Sequence, residues 1–235
     1  MSSNTFVLVH GAWHGGWCWR RLADRLRARG HFVFTPTLTG LGERAHLLHR
    51  DIDLSLHVAD VLGVIKCEKL DDIVLVGHSY GGFVISGLAE AVPDKIRSIV
   101  FLDAFIPDNG EALLDVVQPA VQEVIKDVLA RGETTVPVRD AAAFKVNEKD
   151  RAWVDSLATP QPIGTMTEKI KLTGARERVA GKTYIRAVGY PNVSFDKAYA
   201  RVKADRSWRT YEAPCGHDVM IDEPDWLTEI LLEVA

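Results

Sequence analysis

The sequence predicts an α/β domain built on a parallel sheet with helices on both faces. Three observations carry this. Short apolar runs rich in β-branched residues alternate with stretches whose apolar residues recur at helical spacing, and such alternation gives a parallel sheet buried on both sides. One run, Asp72-Ile73-Val74-Leu75-Val76, feeds Gly77-His78-Ser79-Tyr80-Gly81-Gly82. A helix stripe follows it at Ile85, Leu88, Ala89 and Val92, closed by Pro93. The alternation then stops between about Glu111 and Lys171 and resumes, which marks an insertion.

In chain order, Phe6 to His10 is the first strand, running into the glycine-rich turn Gly11-Ala12-Trp13-His14-Gly15-Gly16. Trp19, Leu22, Ala23 and Leu26 mark a helix face, with Gly30 as its C-terminal cap. His31 to Thr35 is a second strand, stopped by Pro36. Asp53 or Ser55 caps a helix with Val58, Val61, Leu62 and Ile65 inward. The strand and helix around Ser79 come next, then the strand Ser98 to Leu102, ending in Asp103. In the insertion only helical patterns and prolines appear. Val121, Val124, Ile125, Val128 and Leu129 form one stripe, and Trp153, Val154 and Leu157 another. Thr183 to Val188 and Trp208 to Tyr211 are the last strands, and Pro224 opens a final helix. The expected organisation is a core of residues 1–110 and 172–235 with a helical cap of residues 111–171.

The 235 residues are 47% hydrophobic, enough for a full-sized core, and the net charge of −4 gives no reason to expect nucleic acid or a charged membrane surface as partner. No apolar run reaches membrane-spanning length, and the N-terminus lacks the basic and apolar regions of a secretion signal. Cys18, Cys67 and Cys215 form no C-x-x-C and no disulfide framework, so a cytoplasmic protein with reduced thiols is expected. Asn192-Val193-Ser194 is read as a chance sequon.

G-x-S-x-G at a strand-to-helix turn is the signature of a nucleophile elbow. Gly77 and Gly81 supply small residues where backbones crowd, and the turn raises the Ser79 hydroxyl at the carboxyl end of the sheet, where ligands bind. Serine needs a base to act at neutral pH, and the base needs an orienting acid. Of the eight histidines, only His217 lies in a loop after the final strand, as the order Ser, acid, His requires. The oxyanion of a tetrahedral intermediate needs preorganised donors. The Tyr80 amide at the helix start is one, and an amide of the Gly11-Ala12-Trp13 turn, assigned to Ala12, is the other. His10 and His14 stand four apart, but the glycines around them preclude a helix and no third ligand completes a metal site. His10 is expected to buttress the turn and His78 to pack beside the elbow.

Phe6 to Trp17, Gly77 to Gly82 and Gly216-His217 resemble the plant methylesterase and hydroxynitrile lyase group of α/β-hydrolases, and more closely its bacterial esterase-like relatives. The likeness spans nearly the whole chain and is weakest in the cap. It implies a sheet of about six strands, a helical cap, and Ser-His-acid catalysis without cofactor or metal. Two departures matter. The lyases carry a lysine just after the catalytic histidine, where this chain has Asp218. The methylesterases take their acid from the segment after the penultimate strand, which here reads Ala187-Val188-Gly189-Tyr190-Pro191 with no carboxylate.

The acid is therefore assigned to Asp103, which closes the strand next to the nucleophile strand; Phe101 to Phe105 resembles the corresponding segment of some haloalkane dehalogenases. Asp196 falls at a helix start, where its charge suits the helix dipole, and Asp218 adjoins the histidine itself. The expected reaction is hydrolysis of a small-molecule carboxylic ester, lactone or thioester through an acyl-enzyme on Ser79. The alternatives are C–C bond or cyanohydrin cleavage on the same fold, or a non-catalytic small-ligand receptor. Trp13, Tyr80, Phe105, Trp153 and Met166 are the expected pocket residues. Oligomeric state is left open, a homodimer included.

Overall fold

A computed structural model describes residues 3–235. Six parallel strands form one sheet in the order β2-β1-β3-β4-β7-β8, with β1 Thr5–Val9, β2 Phe32–Phe34, β3 Ile73–His78, β4 Ile96–Leu102, β7 Gly181–Ala187 and β8 Trp208–Ala213. The central strands β1, β3 and β4 are almost wholly buried, as runs such as Ile73-Val74-Leu75-Val76 require when helices cover both faces. Helices α1 Arg20–Ala28, α2 Leu54–Cys67, α3 Gly81–Ala91, α8 Val193–Lys203 and α10 Pro224–Glu233 accompany the sheet. Asp53 caps α2 by accepting the Leu56 amide at 2.8 Å, and Asn192 caps α8. A short helix, α9 Val219–Asp222, precedes α10.

The chain steps from β1 to β2 on one side and returns to place β3 on the other. The carboxyl ends of β1 and β3 thus flank a topological switch point, where the crossover helices diverge and leave a crevice. Val9 of β1 pairs with Gly77 of β3, so the glycine-rich turn and the Ser79 turn leave the sheet side by side.

Between β4 and β7 lie α4 Leu113–Val116, α5 Pro119–Ala130, α6 Glu148–Leu157 and α7 Gly164–Thr167. The expectation of helices alone needs correction here. Thr135–Val136 (β5) and Gln161–Pro162 (β6) pair antiparallel. Strands of two residues carry no periodicity from which to read them. The α5 stripe is also narrower than its apolar content suggests: Ile125 and Val128 are buried, while Val124 and Leu129 are 45% and 43% exposed. This segment between β4 and β7, called the cap below for brevity, is tied to the first turn by the Trp13 amide donating to Gln161 Oε1 at 2.9 Å and the Thr159 amide donating to the Trp13 carbonyl at 2.9 Å.

Candidate active site

Ser79 sits between β3 and α3 with φ +53, in the left-handed region that costs a residue with a side chain. Glycines make the turn possible. A Cβ on Gly77 would stand 2.7 Å from the Gly81 carbonyl oxygen, and one on Gly81 would stand 2.7 Å from that of Val9. Trp13 (φ +64) and Asp103 (φ +41) take the same backbone conformation at the ends of β1 and β4. Three of the sheet's carboxyl ends therefore turn sharply around one spot, and strain of this kind concentrates at functional sites.

His217, in the loop after β8, is buried, and its Nδ1 lies 2.6 Å from Asp103 Oδ2. The carboxylate fixes the imidazole with Nδ1–H donating, which leaves Nε2 as the acceptor. The ring is boxed by Phe195, stacked at 5.4 Å and 16°, by Tyr190 at 4.7 Å and by His78 at 4.4 Å. The His217 amide donates to the Phe144 carbonyl at 2.9 Å, so the cap helps hold the loop.

Asp103 Oδ1 accepts from Arg186 Nη1 at 2.8 Å and from the Ala187 amide at 3.0 Å. Arg186 turns its other nitrogens to Asp196 Oδ1 at 2.7 and 2.9 Å. The rival acid is thus separated from His217 by a guanidinium and is 60% exposed. Burial opposes the Arg186 charge, but the two carboxylates outweigh it and raise its pKa. Arg186 is not singled out by the sequence reading, although a cation inside a buried strand calls for acceptors opposite it.

Ser79 and His217 face one cavity of about 40 Å³, without a hydrogen bond between them, a common resting arrangement in sites of this kind. Trp13, Tyr80, Phe105 and Met166 line it, and so does Ala12. Trp153 does not, which corrects that expectation. It packs edge-on against Trp17 at 5.3 Å, beneath the Arg21 guanidinium at 5.2 Å. Phe144, Tyr190, Phe195, Asn192 and Arg139 line the cavity and were missed, since their approach depends on the course of the cap and loops. A wider groove of about 1030 Å³ adjoins the cavity and shares Phe105, Val117, Gln118 and Asn192 with it, but Ser79 is not on its wall.

Among the described residues, the amides of Ala12 and Tyr80 are bonded to no acceptor, whereas the Trp13 amide is spent on Gln161. Around this turn, His10 accepts the Leu38 amide on Nε2 at 3.0 Å and donates from Nδ1 to the Gly11 carbonyl at 2.8 Å. Burial holds it neutral, with its pKa lowered to about 3. His78 donates from Nε2 to the His217 carbonyl at 3.0 Å, linking the elbow to the histidine loop. His78, His217 and Asp218 also cluster, with His78 Nε2 serving the bond to the His217 carbonyl and His217 Nδ1 the bond to Asp103.

An all-parallel sheet, a strained serine turn at the switch point and a histidine–carboxylate pair beside it define an α/β hydrolase. A model of the alpha/beta hydrolase family matches residues 6–230, and the chain belongs to that family. It is 41% identical to a carbendazim hydrolyzing esterase of Nocardioides sp. (strain SG-4G) over 235 residues, covering 96% of this chain and 97% of that protein. Methylesterase 7 of Arabidopsis thaliana is 36% identical over 125 residues, 52% of this chain and 48% of the plant protein. Among solved structures, an extracellular alpha/beta-hydrolase from a Paenibacillus species superimposes with a TM-score of 0.86 over 99% of both chains, at 26% identity. Within the family this chain is a carboxylic-ester hydrolase.

Proposed function

We propose that the chain hydrolyses small-molecule carboxylic esters by covalent catalysis on Ser79, with His217 as base, Asp103 as its orienting acid, and the amides of Ala12 and Tyr80 as oxyanion donors. The observation that carries this is the 2.6 Å contact of His217 Nδ1 with Asp103 Oδ2, in a cavity shared with a serine held on a nucleophile elbow.

In this reading, Ser79 Oγ attacks the ester carbonyl while His217 Nε2 takes its proton. The carbonyl π bond opens to an oxyanion that accepts from the Ala12 and Tyr80 amides. As the oxyanion collapses, the C–O bond to the alcohol breaks and the imidazolium returns the proton to the leaving oxygen. Water, deprotonated by the same imidazole, then attacks the acyl-serine, releasing the carboxylic acid and restoring Ser79. Asp103 stabilises the imidazolium in both halves, and Arg186 and the Ala187 amide hold the carboxylate in place. The mainly aromatic and aliphatic lining suits the apolar body of a compact substrate, and the adjoining groove gives it an approach. The near-full-length likeness to a carbendazim hydrolyzing esterase makes carbendazim a candidate substrate to assay first. The three free cysteines suit a reducing, cytoplasmic setting.

The test is covalent. An organophosphonate should add at Ser79, seen by peptide mass spectrometry, and abolish turnover of p-nitrophenyl esters. Ser79→Ala should lower kcat at least about a thousandfold, since members of such a unit fail together. Labelling at another residue, or near-normal turnover in Ser79→Ala, overturns the assignment.

A further inference from the structure

Arg139 stands in the loop after β5, half-buried, and it is the one arginine or lysine on the wall of the cavity that Ser79 and His217 share. Its guanidinium lies over the Phe144 ring, 5.1 Å from the centroid, and the same ring lies 5.6 Å from the His217 imidazole. One aromatic ring therefore separates the cation from the base. Among the described residues Arg139 forms no ion pair, and the neighbouring Tyr190 phenol is a neutral companion. The acidic groups of the histidine pair and of the adjoining groove are engaged elsewhere. Asp103 binds His217 and Arg186, Asp196 binds Arg186, Asp108 binds Arg201, and Asp115 accepts the Ala112 amide.

A guanidinium offers five donors in a planar fork that fits a carboxylate with two parallel bonds. Contact with the Phe144 ring restricts the side chain, so less freedom is lost when an anion docks. Partial desolvation by the surrounding aromatic wall strengthens the attraction. Among the described residues no carboxylate pairs with these donors, only the neutral Tyr190 phenol lies against them, and a cation on a mainly apolar wall is complemented by an anionic group on the ligand.

We propose that Arg139 is a specificity-determining residue that selects esters bearing a carboxylate at the end remote from the scissile bond, such as monoesters of short dicarboxylic acids. This rests on the Ser79 reaction proposed above, and the following experiment separates the two. Relative kcat/KM would be measured for monomethyl succinate, glutarate and adipate against methyl esters of uncharged acids of equal length. In parallel, binding of monomethyl glutarate to the Ser79→Ala protein would be followed by calorimetry. The intact enzyme should favour a half-ester, with an optimum chain length. Arg139→Gln should lower the half-ester to neutral-ester ratio about 10- to 100-fold, the worth of a charged hydrogen-bonded pair, and weaken calorimetric binding to a similar degree. Arg139→Lys, which keeps the charge and loses the fork, should fall between and serves if the glutamine variant folds poorly. A ratio unchanged in both variants, or an intact enzyme that prefers the neutral esters, overturns the proposal while leaving the Ser79 reaction standing. Arginine-dependent binding without turnover of any ester has the opposite consequence.

Discussion

His14 and Asp218 form a buried ion pair, Nε2 to Oδ2 at 2.9 Å, which joins the glycine-rich turn after β1 to the histidine loop after β8. His14 Nδ1 also faces the Ala12 carbonyl at 2.8 Å, so both ring nitrogens meet acceptors and the ring carries both protons. Burial opposes that charge, but Asp218 and the Ala12 carbonyl raise the His14 pKa. Asp218, against the same burial, is held well below the usual carboxylate range by His14. The pair thus ties the residue after the proposed base to the residue proposed as oxyanion donor. Asp218→Asn leaves a buried cation without its partner and should destabilise the fold by about 3–5 kcal/mol in urea titrations. It should also lower kcat more than it raises KM, because the Ala12 turn loses its anchor. In a double-mutant cycle with His14→Gln the two losses should fall well short of additive; additive losses would mean the pair is not coupled.

Stability should fall as the solution is acidified from pH 6.5 to 4. Burial lowers the His10 pKa to about 3 and that of His57 to about 4, and it also lowers His78 well below its ordinary value. Below pH 6.5 the unfolded chain takes up protons that these folded rings refuse, so protonation favours unfolding until the folded pKa values are reached. His14 runs the other way. Its raised pKa contributes stability that is full below 6.5 and is lost as pH rises through the folded value. Asp218 contributes above 3.8 and is lost as pH falls through its depressed value. His57 accepts from the Tyr80 hydroxyl at 3.0 Å and donates to the Thr39 carbonyl at 2.9 Å, which a glutamine amide can imitate without titrating. His57→Gln should therefore flatten the fall of Tm between pH 6.5 and 4. An unchanged slope would exclude His57 as a source.

Asp103→Asn should lower kcat by about 10⁴ through the wrong His217 tautomer while the fold survives, and Asp196→Asn should cost less than about tenfold. The difference follows from the bonds each carboxylate makes. Asp103 reaches the imidazole itself, whereas Asp196 reaches only Arg186 from an exposed position. Steady-state kinetics of the two variants on one p-nitrophenyl ester decide the matter. Collapse in Asp196→Asn with near-normal turnover in Asp103→Asn would return the acid to the segment after β7.

The sheet and the serine turn were legible in the sequence because each rests on local pattern: apolar strands, helical stripes, and glycines where Gly77 and Gly81 meet backbone oxygens. Asp103 was reachable because it ends a readable strand. Arg186 and His14 were not connected to the site because their partners lie 83 and 204 residues away in sequence. The cap was read least well. Its helices bury short stretches, its strands are two residues long, and its apolar side chains divide between the cavity, the core and solvent in ways periodicity does not encode.

That division makes a last prediction. Met166 and Trp153 both belong to the cap, yet Met166 lies buried on the cavity wall while Trp153 leans on Trp17 and Arg21 outside it. Met166→Ala removes a flexible apolar side chain from the space where an acyl group would lie, so longer or branched acyl esters should gain in kcat/KM relative to acetate. A methylene in such a pocket is worth about 10- to 200-fold, which sets the size of the expected shift. Trp153→Ala removes packing between α6 and the segment around Trp17. It should cost stability of about 0.5–3 kcal/mol in thermal or urea unfolding and leave the order of acyl preference as it was. A panel of p-nitrophenyl esters from acetate to octanoate, run on both variants, reads the difference directly. If Trp153→Ala reorders the panel and Met166→Ala does not, substrate choice is set from the Trp17 side of the cap and not from the cavity wall.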